Sequence, residues 1–212
     1  MPHEHHHHDH PHEGVIATTD GPLTRYQVME VALCELLIEK GVFTPEDVRR
    51  EVEAMEGRDA GRGARMVARA WLDPAFKQRL LADANAAAAE LGFEAGPFRI
   101  LVMENTPAVH NLIVCTLCSC YPRMLLGLPP AWYKSLAYRS RAVREPRAVL
   151  AGFGTVLPDS VEVRVHDSTA DVRYMVLPMR PSGTEDLGEQ ELARLVTRDS
   201  LVGVSVPLSR TA

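Results

Sequence analysis

Three of the chain's four cysteines lie within one short stretch, VCTLCSCYPR. Cys115, Cys118 and Cys120 form the pattern C-x-x-C-x-C, directly after an apolar run and before a proline. Thiolates two and three residues apart can converge on one ion if the chain turns tightly, and the small Ser119 permits such a turn. The spacing therefore predicts a loop that binds a metal or carries out redox chemistry.

Spacing alone leaves three interpretations of this loop open. A structural zinc ion needs four closed ligands, and because no second C-x-x-C is present, the fourth would come from Cys34, His110 or His166. A catalytic or redox-active metal needs only the three local thiols, and an inert thiol cluster is the third interpretation. We predict a core position for Cys34, and local hydrogen bonds outside the metal site for both histidines. Four unevenly placed cysteines are too few for a disulfide framework.

A second group of potential metal ligands lies in residues 1–23, where histidines are interleaved with acidic residues and prolines. Such a composition cannot bury an apolar face, so we predict a disordered arm. Neutral imidazoles bind borderline metal ions, and loose metal capture is therefore one interpretation. A solvated tail or an engineered tag is the other, although the acidic residues and prolines argue against a plain tag.

Two kinds of secondary structure are predicted to position the cysteine loop. Residues 24–96 show helical spacing, with Gly41 as a stop and Thr44-Pro45 and Asp73-Pro74 as helix starts, and predict an N-terminal helical arm. Its last helix is expected to run through the alanine-rich segment to Gly92. The arm's apolar stripes exceed what the chain itself can cover, so we expect an interface. The candidates for that interface are Met29, Leu33, Leu36, Val67 and Trp71, and a position in the chain's own core is the alternative for each of them.

Residues 97–212 are predicted to form an α+β body that carries the cysteine loop. Its β-rich segments are FRILVME, NLIVCT, VEVRVHD, VRYMVLP and LVGVSVP, and helical pieces are predicted near 131–138, 146–152 and 189–196. The link between Asp167 and Val172 is short enough for a hairpin. Trp132 and Tyr133, beside a Pro-Pro helix start, are interpreted as packing anchors, with contact to substrate or partner as the alternative.

Composition limits the class of protein. The 212 residues suit one domain with an appendage, and the net charge of -5 shows no bias toward a polyanionic partner such as nucleic acid. No apolar run approaches the roughly 18 residues of a membrane span, and the His-rich start is unlike a secretory signal. We therefore expect a cytoplasmic protein.

Several sequence blocks resemble the α subunit of nitrile hydratase. They are CTLCSC followed by YP, ENTPAVHN upstream, and LGLPPAWYKS, YRSR, REPR, VLPMRPSGTE and VTRDS downstream, all in the order of the family. The resemblance implies an N-terminal helical arm followed by a layered α/β body with a metal claw. In that claw Cys115, Cys118 and Cys120 supply sulfur, Ser119 and Cys120 supply deprotonated main-chain nitrogens, and a sixth position stays open.

The resemblance also implies a cofactor and a reaction. Deprotonated amide nitrogens demand a trivalent ion. In this family, threonine at the position of Thr116 is associated with cobalt(III), whereas serine at that position is associated with iron(III). Cys118 is expected as a sulfinate and Cys120 as a sulfenate, with Cys115 unmodified. The expected reaction is hydration of a nitrile to its amide, with the metal polarising the nitrile or lowering the pKa of water. Cys120 and Ser119 are the expected catalytic residues.

Partners follow from the same resemblance. Arginines of a β subunit, present as one chain or split into two, are expected to bind the sulfur oxygens, so the enzyme is a hetero-oligomer. An activator or metallochaperone is expected to load the metal. Arg173 and Asp167 resemble residues that support the claw and the interface, and the alternative is a surface ion pair across a hairpin.

One departure from the family bears on the substrate. Most members have a tryptophan after the YP, as a wall of the substrate pocket, whereas this chain has Arg123. The nearby Tyr121 is a further pocket candidate, with core packing as the alternative. A cationic wall suits an anionic nitrile or a larger, polar one such as a nucleoside nitrile, unless Arg123 turns toward a partner acid. The same feature, with the His-rich start, resembles the γ subunit of thiocyanate hydrolase, which converts thiocyanate to carbonyl sulfide and ammonia. A metal-handling or redox-sensing protein is the alternative of another class.

Overall fold

A computed structural model describes residues 24–56 and 59–210, and the predicted His-rich arm, residues 1–23, lies outside these ranges. The chain divides into two compact units, with the boundary between Val48 and Arg49. In the first unit, α1 spans Arg25–Glu39. Its exposed apolar side chains are Tyr26, Val28, Met29, Val31, Leu33 and Leu36. A helix that exposes this much apolar surface is typical of an interface.

Four further helices precede the first strand in the described ranges, and the last two of them begin at capping aspartates. After α2, Pro45–Glu56, the second unit has α3, Gly61–Leu72, α4, Pro74–Ala82, and α5, Ala84–Glu90. Asp73 accepts hydrogen bonds from two main-chain N–H groups of α4, and Asp83 accepts one from α5. The predicted single helix from Pro74 to Gly92 is therefore wrong, because the Asp83 carboxylate caps a new helix instead of continuing the old one.

Four parallel-paired strands and six short helices make up the rest. In chain order they are β1 Arg99–Glu104, β2 Val109–Val114, α6 Arg123–Leu126, α7 Ala131–Lys134, α8 Leu136–Arg144, α9 Pro146–Gly152, β3 Glu162–Asp167, β4 Val172–Leu177, α10 Glu189–Leu195 and α11 Arg198–Val202. β1 pairs with β4, and β2 pairs with β3 across the crossover formed by α6–α9. The α+β class is confirmed, and four of the five predicted strands are present.

Strand pairing brings distant residues to the cysteine loop. The register of β2 and β3 sets Val114 opposite Asp167, and the parallel direction places the carboxyl ends of both strands side by side. The cysteine loop leaves β2 at this end. The expected hairpin between Asp167 and Val172 is wrong, because β3 and β4 belong to different two-stranded sheets.

The fifth predicted strand, LVGVSVP, is also wrong. Its first two residues end α11, and Gly203 turns the chain with a φ of 88°. A Cβ atom on Gly203 would lie 2.0 Å from the Asn111 carbonyl oxygen, so only glycine permits this close approach between the turn and β2.

A shared core joins α3–α5 to the strands. Phe76, Leu80, Leu112 and Met175 are at most 1% exposed and belong to one hydrophobic cluster. Val67, proposed from the sequence as an interface residue, is completely buried there, so that assignment is wrong. The predicted division of the chain into a helical arm that ends at residue 96 and a metal-binding body that begins at residue 97 stays a prediction. None of the helices in the described ranges is long and apolar enough to cross a bilayer.

Candidate metal centre

The three loop cysteines converge at the end of β2. Their sulfur atoms all lie within 4.8 Å of one another, and the Cys118 sulfur is 3.5 Å from that of Cys115 and 3.2 Å from that of Cys120. Cys115 is 1% exposed, residues 116–119 are exposed, and Tyr121 is 4% exposed. The loop therefore has buried ends and an exposed apex, and of its three cysteines Cys118 is exposed, Cys120 is half-buried and Cys115 is buried.

This donor set does not build a closed zinc site. The cluster of potential ligands found in the described ranges contains these three cysteines alone. His110 is bound elsewhere, with Nε2 2.7 Å from the Gly203 carbonyl oxygen, and His166 Nε2 lies 2.8 Å from Asn111 Oδ1. The prediction that both histidines form local hydrogen bonds is confirmed, and Cys34 is half-buried on α1. Three thiols without a fourth side chain fit an open metal site better than structural zinc.

The loop favours one thiolate at neutral pH. Hydrogen bonds from the Cys120 and Cys115 thiols lower the pKa of Cys118 to about 7, and the main-chain N–H groups of Ser119 and Cys120 act in the same direction. Burial raises the pKa of Cys120. The two N–H groups that the resemblance assigns to the metal thus already interact with the sulfur cluster, so sulfur and nitrogen donors lie together as the claw requires.

Thr116, directly after the first cysteine, is held from two sides. Its N–H donates to Asp167 Oδ1 at 2.9 Å and its hydroxyl donates to Asp167 Oδ2 at 2.5 Å. Its carbonyl accepts from Arg139 Nη2 of α8 at 2.8 Å. Asp167 therefore contacts the claw loop and not Arg173, and the alternative of an ion pair across a hairpin is wrong.

Arg173 is a buried cation near the last cysteine. It is 7% exposed, its guanidinium carbon lies 4.2 Å from the centre of the Phe98 ring, and its Nε has no hydrogen-bond partner in the described ranges. Its positive charge acts to lower the pKa of Cys120, against the larger effect of burial. A buried guanidinium beside thiols that ionise is well placed to stabilise thiolate or oxidised sulfur.

Two tyrosines occupy the far end of the loop. The Tyr133 hydroxyl donates to the Cys120 carbonyl at 2.9 Å, and the side chain is completely buried, which agrees with its interpretation as a packing anchor. The Tyr121 ring packs edge-on against Tyr133 with 5.0 Å between centroids, and its hydroxyl has no partner in the described part of the chain. Burial raises the pKa of both phenols, so both are neutral donors at physiological pH.

Arg123 begins α6 at the surface, three residues after Cys120. In the described ranges no carboxylate of this chain pairs with its guanidinium.

Arg139 contacts the cysteine loop and was not predicted from the sequence. It stands in the block YRSR, but its contact with Thr116 spans 23 residues and has no signal in local spacing.

Comparison with known proteins gives one consistent family. A family model described as "Nitrile hydratase, alpha chain" matches residues 24–205. The chain is 53% identical to the low-molecular weight cobalt-containing nitrile hydratase subunit alpha of Rhodococcus rhodochrous, over 83% of this chain and 86% of that protein. It is 42% identical to the thiocyanate hydrolase subunit gamma of Thiobacillus thioparus, over 86% of this chain and 80% of the other.

Solved structures agree with this result. A double mutant of the Fe-type nitrile hydratase from Comamonas testosteroni Ni1 superposes with a TM-score of 0.81 at 45% identity, covering 89% of this chain and 97% of the other. The predicted fold and the resemblance noted in the sequence are both confirmed by these matches.

Proposed function

This chain belongs to the nitrile hydratase alpha-chain family of metal-dependent hydro-lyases, and we propose that it is the metal-binding subunit of an enzyme that hydrates a nitrile to its amide. The observation that carries the proposal is the open set of three thiols within 4.8 Å of one another. Cys115, Cys118 and Cys120 would hold the ion together with the main-chain nitrogens of Ser119 and Cys120. Several cobalt-containing relatives and the presence of Thr116 favour cobalt(III) over iron(III).

When bound, such an ion supplies Lewis acidity that polarises a nitrile or lowers the pKa of water. The chain's own residues prepare the site for it. The lowered pKa of Cys118 provides a thiolate near neutral pH, which is the form of cysteine that binds metals. Arg173 supplies positive charge beside Cys120, which suits a sulfenate there and a sulfinate at Cys118.

Arg123 carries the proposal about substrate class. Its exposed guanidinium, without a carboxylate partner in the described ranges, would line the approach to the claw beside Tyr121. A cation there binds a polar or anionic group better than an alkyl chain. We therefore propose a bulky, polar nitrile such as a nucleoside nitrile as substrate. Thiocyanate, an anion with a nitrile carbon, is the second candidate, and similarity to a thiocyanate hydrolase subunit gamma favours it.

The exposed surfaces support a partner subunit. Leu117 at the loop apex is 88% exposed, and α1 exposes several large apolar side chains. A single chain that leaves both in water is typical of one half of an obligate complex. We propose a β subunit, as one chain or two, that covers the loop, and an activator that loads the metal. A cytoplasmic location remains our expectation.

Product identity tests the proposal. The chain is co-expressed with a β-type partner, as one chain or two, in cells supplied with cobalt, and the purified complex is incubated with small, bulky and nucleoside nitriles and with thiocyanate. Amide formation supports nitrile hydration, whereas carbonyl sulfide release supports the second candidate. Rapid loss of a divalent ion to a chelator, without either product, would instead identify a metal-handling protein.

A further inference from the structure

One helical corner touches the claw loop at several points. Helices α7 and α8 meet at Ser135, whose hydroxyl caps α8 by accepting from the Tyr138 N–H at 3.1 Å. Three side chains of this corner donate to main-chain carbonyls of the loop and its strand. These hydrogen bonds run from Tyr138 to Ile113 at 2.5 Å, from Arg139 to Thr116 at 2.8 Å and from Tyr133 to Cys120 at 2.9 Å.

The three carbonyls bracket the thiols. Ile113 lies two residues before the first cysteine, Thr116 directly follows it, and Cys120 is the last. Each hydrogen bond fixes the orientation of one peptide plane, so together they determine where the chain enters, turns and leaves the claw. The cysteine side chains then project from a backbone that is held from outside the loop.

The donors are themselves immobilised by packing. Tyr133 is completely buried and Tyr138 is 6% exposed. Trp132 packs edge-on against both Tyr138 and Phe153, at 4.8 Å between ring centroids in each case. Because the aromatic rings fill the space around the corner, the hydroxyl groups cannot follow the loop if it relaxes.

Arg139 completes the arrangement on the exposed side. Its guanidinium binds the Thr116 carbonyl while Asp167 binds the N–H and hydroxyl of the same residue. Thr116 is therefore held by a cation at its carbonyl and by an anion at its N–H and hydroxyl. Charge-assisted hydrogen bonds of this kind are stronger than neutral ones, which makes Thr116 the best-anchored residue of an otherwise exposed apex.

We propose that the α7–α8 corner is a template that holds the claw loop in its metal-binding shape, with Arg139 and Tyr133 as positioning residues. The inference rests on the proposed function in one respect, namely that the loop binds a metal. Flexible ligand loops lose affinity because ordering them costs conformational entropy, and the template removes this cost before the ion arrives.

The test compares matched variants of the cobalt-loaded complex. Tyr133→Phe and Arg139→Gln remove one donor each. Tyr174→Phe and Arg141→Gln are the controls, because the Tyr174 hydroxyl has no hydrogen bond in the described ranges and Arg141 only pairs with Glu145 at the surface. Cobalt retained after dialysis against a chelator, the thiolate-to-cobalt absorption band, kcat and KM are measured for each variant.

We expect both positioning variants to lose cobalt about tenfold faster than the controls, with a shifted absorption band and a kcat reduced at least about tenfold while KM stays within about twofold. Arg139→Lys, which keeps a cationic donor, is expected to recover part of the loss. Positioning variants with the cobalt retention, spectrum and kcat of the controls would overturn the template.

The measurements separate this inference from the proposed function. If the unmodified complex holds cobalt but acts on neither nitriles nor thiocyanate, the proposed function fails while cobalt retention still decides the template. If the complex takes up no cobalt, both fail. Should Arg139→Gln not fold, Tyr133→Phe, which removes a single oxygen atom from a buried ring, decides the question alone.

Discussion

Asp167→Asn is the substitution whose effect can be worked out best from the structure. The Asp167 carboxylate accepts two hydrogen bonds from Thr116, one from the main-chain N–H and one from the hydroxyl. Asparagine has the same shape and retains Oδ1, so the N–H keeps an acceptor. The Thr116 hydroxyl can rotate and accept a hydrogen bond from the side-chain NH₂ group of the new asparagine. The number of hydrogen bonds is then unchanged, and only the negative charge is lost.

The magnitude follows from the difference between charged and neutral hydrogen bonds. A hydrogen bond to a charged group contributes about 1.5–3 kcal/mol, and a neutral one about 0.5–1.5 kcal/mol. Two bonds would lose about 2–3 kcal/mol in a buried site, but both residues are exposed and water screens the charge. We therefore expect a loss of about 1–2 kcal/mol in the anchoring of the loop, which corresponds to roughly 5–30-fold weaker cobalt retention.

The assay is the cobalt content of the assembled complex after timed exposure to a chelator, with kcat measured on the same samples. Asp171→Asn is the matched control, because the Asp171 side chain has no hydrogen bond or ion pair in the described ranges. Asp167→Ala, which removes both acceptors, is expected to be worse than Asp167→Asn. Equal cobalt retention in Asp167→Asn and the control, or a reversed order of the two Asp167 variants, would refute the reasoning.

Further predictions concern the thiols, the pocket and a buried histidine. Cys118→Ala or Cys120→Ala is expected to abolish turnover, and near-normal rates in either would remove the claw from the mechanism. Arg123→Trp is expected to shift preference toward small apolar nitriles in a substrate panel, and an unchanged profile would mean that Arg123 does not line the pocket. Burial lowers the pKa of His110 below its ordinary 6.5, so the unfolded chain takes up a proton first as the pH falls. The free energy of unfolding should therefore decrease below about pH 6.5, by up to about 1.4 kcal/mol per pH unit. In His110→Gln this decrease should be less steep. Urea unfolding at several pH values measures both proteins, and equal pH slopes of the free energy of unfolding would contradict this account.

Local sequence was sufficient for most elements and for the thiols of the site. Helix starts such as Asp73-Pro74 could be predicted because the cap, the proline and the helix are adjacent in the chain. The three thiols are likewise close neighbours in the chain, so a tight turn is enough to bring their sulfurs near one another. The candidate thiol ligands were accessible from one stretch of the sequence for this reason, whereas the family, and the claw that it implies, required several blocks along the chain.

The pairing of the strands could not be predicted from local sequence patterns. The link between β3 and β4 is as short as a hairpin connection, yet each strand pairs in parallel with a distant partner instead. Period-two alternation indicates a strand but contains no information about its neighbour, which is chosen by the burial of both faces in the assembled body. LVGVSVP shows the same limit, because the approach of Gly203 to Asn111 exists only once β2 is in place.

The sequence by itself determined the candidate metal ligands of this protein, and the tertiary structure decided what holds them. Cys115, Cys118 and Cys120 need no other element to be identified. Their supports, Asp167, Arg139 and Tyr133, reach the loop from 51, 23 and 13 residues away. A hydrogen bond at such separation depends on strand register and helix packing, which are properties of the folded core. The chemistry is therefore encoded in contiguous residues, whereas its geometry depends on the whole body.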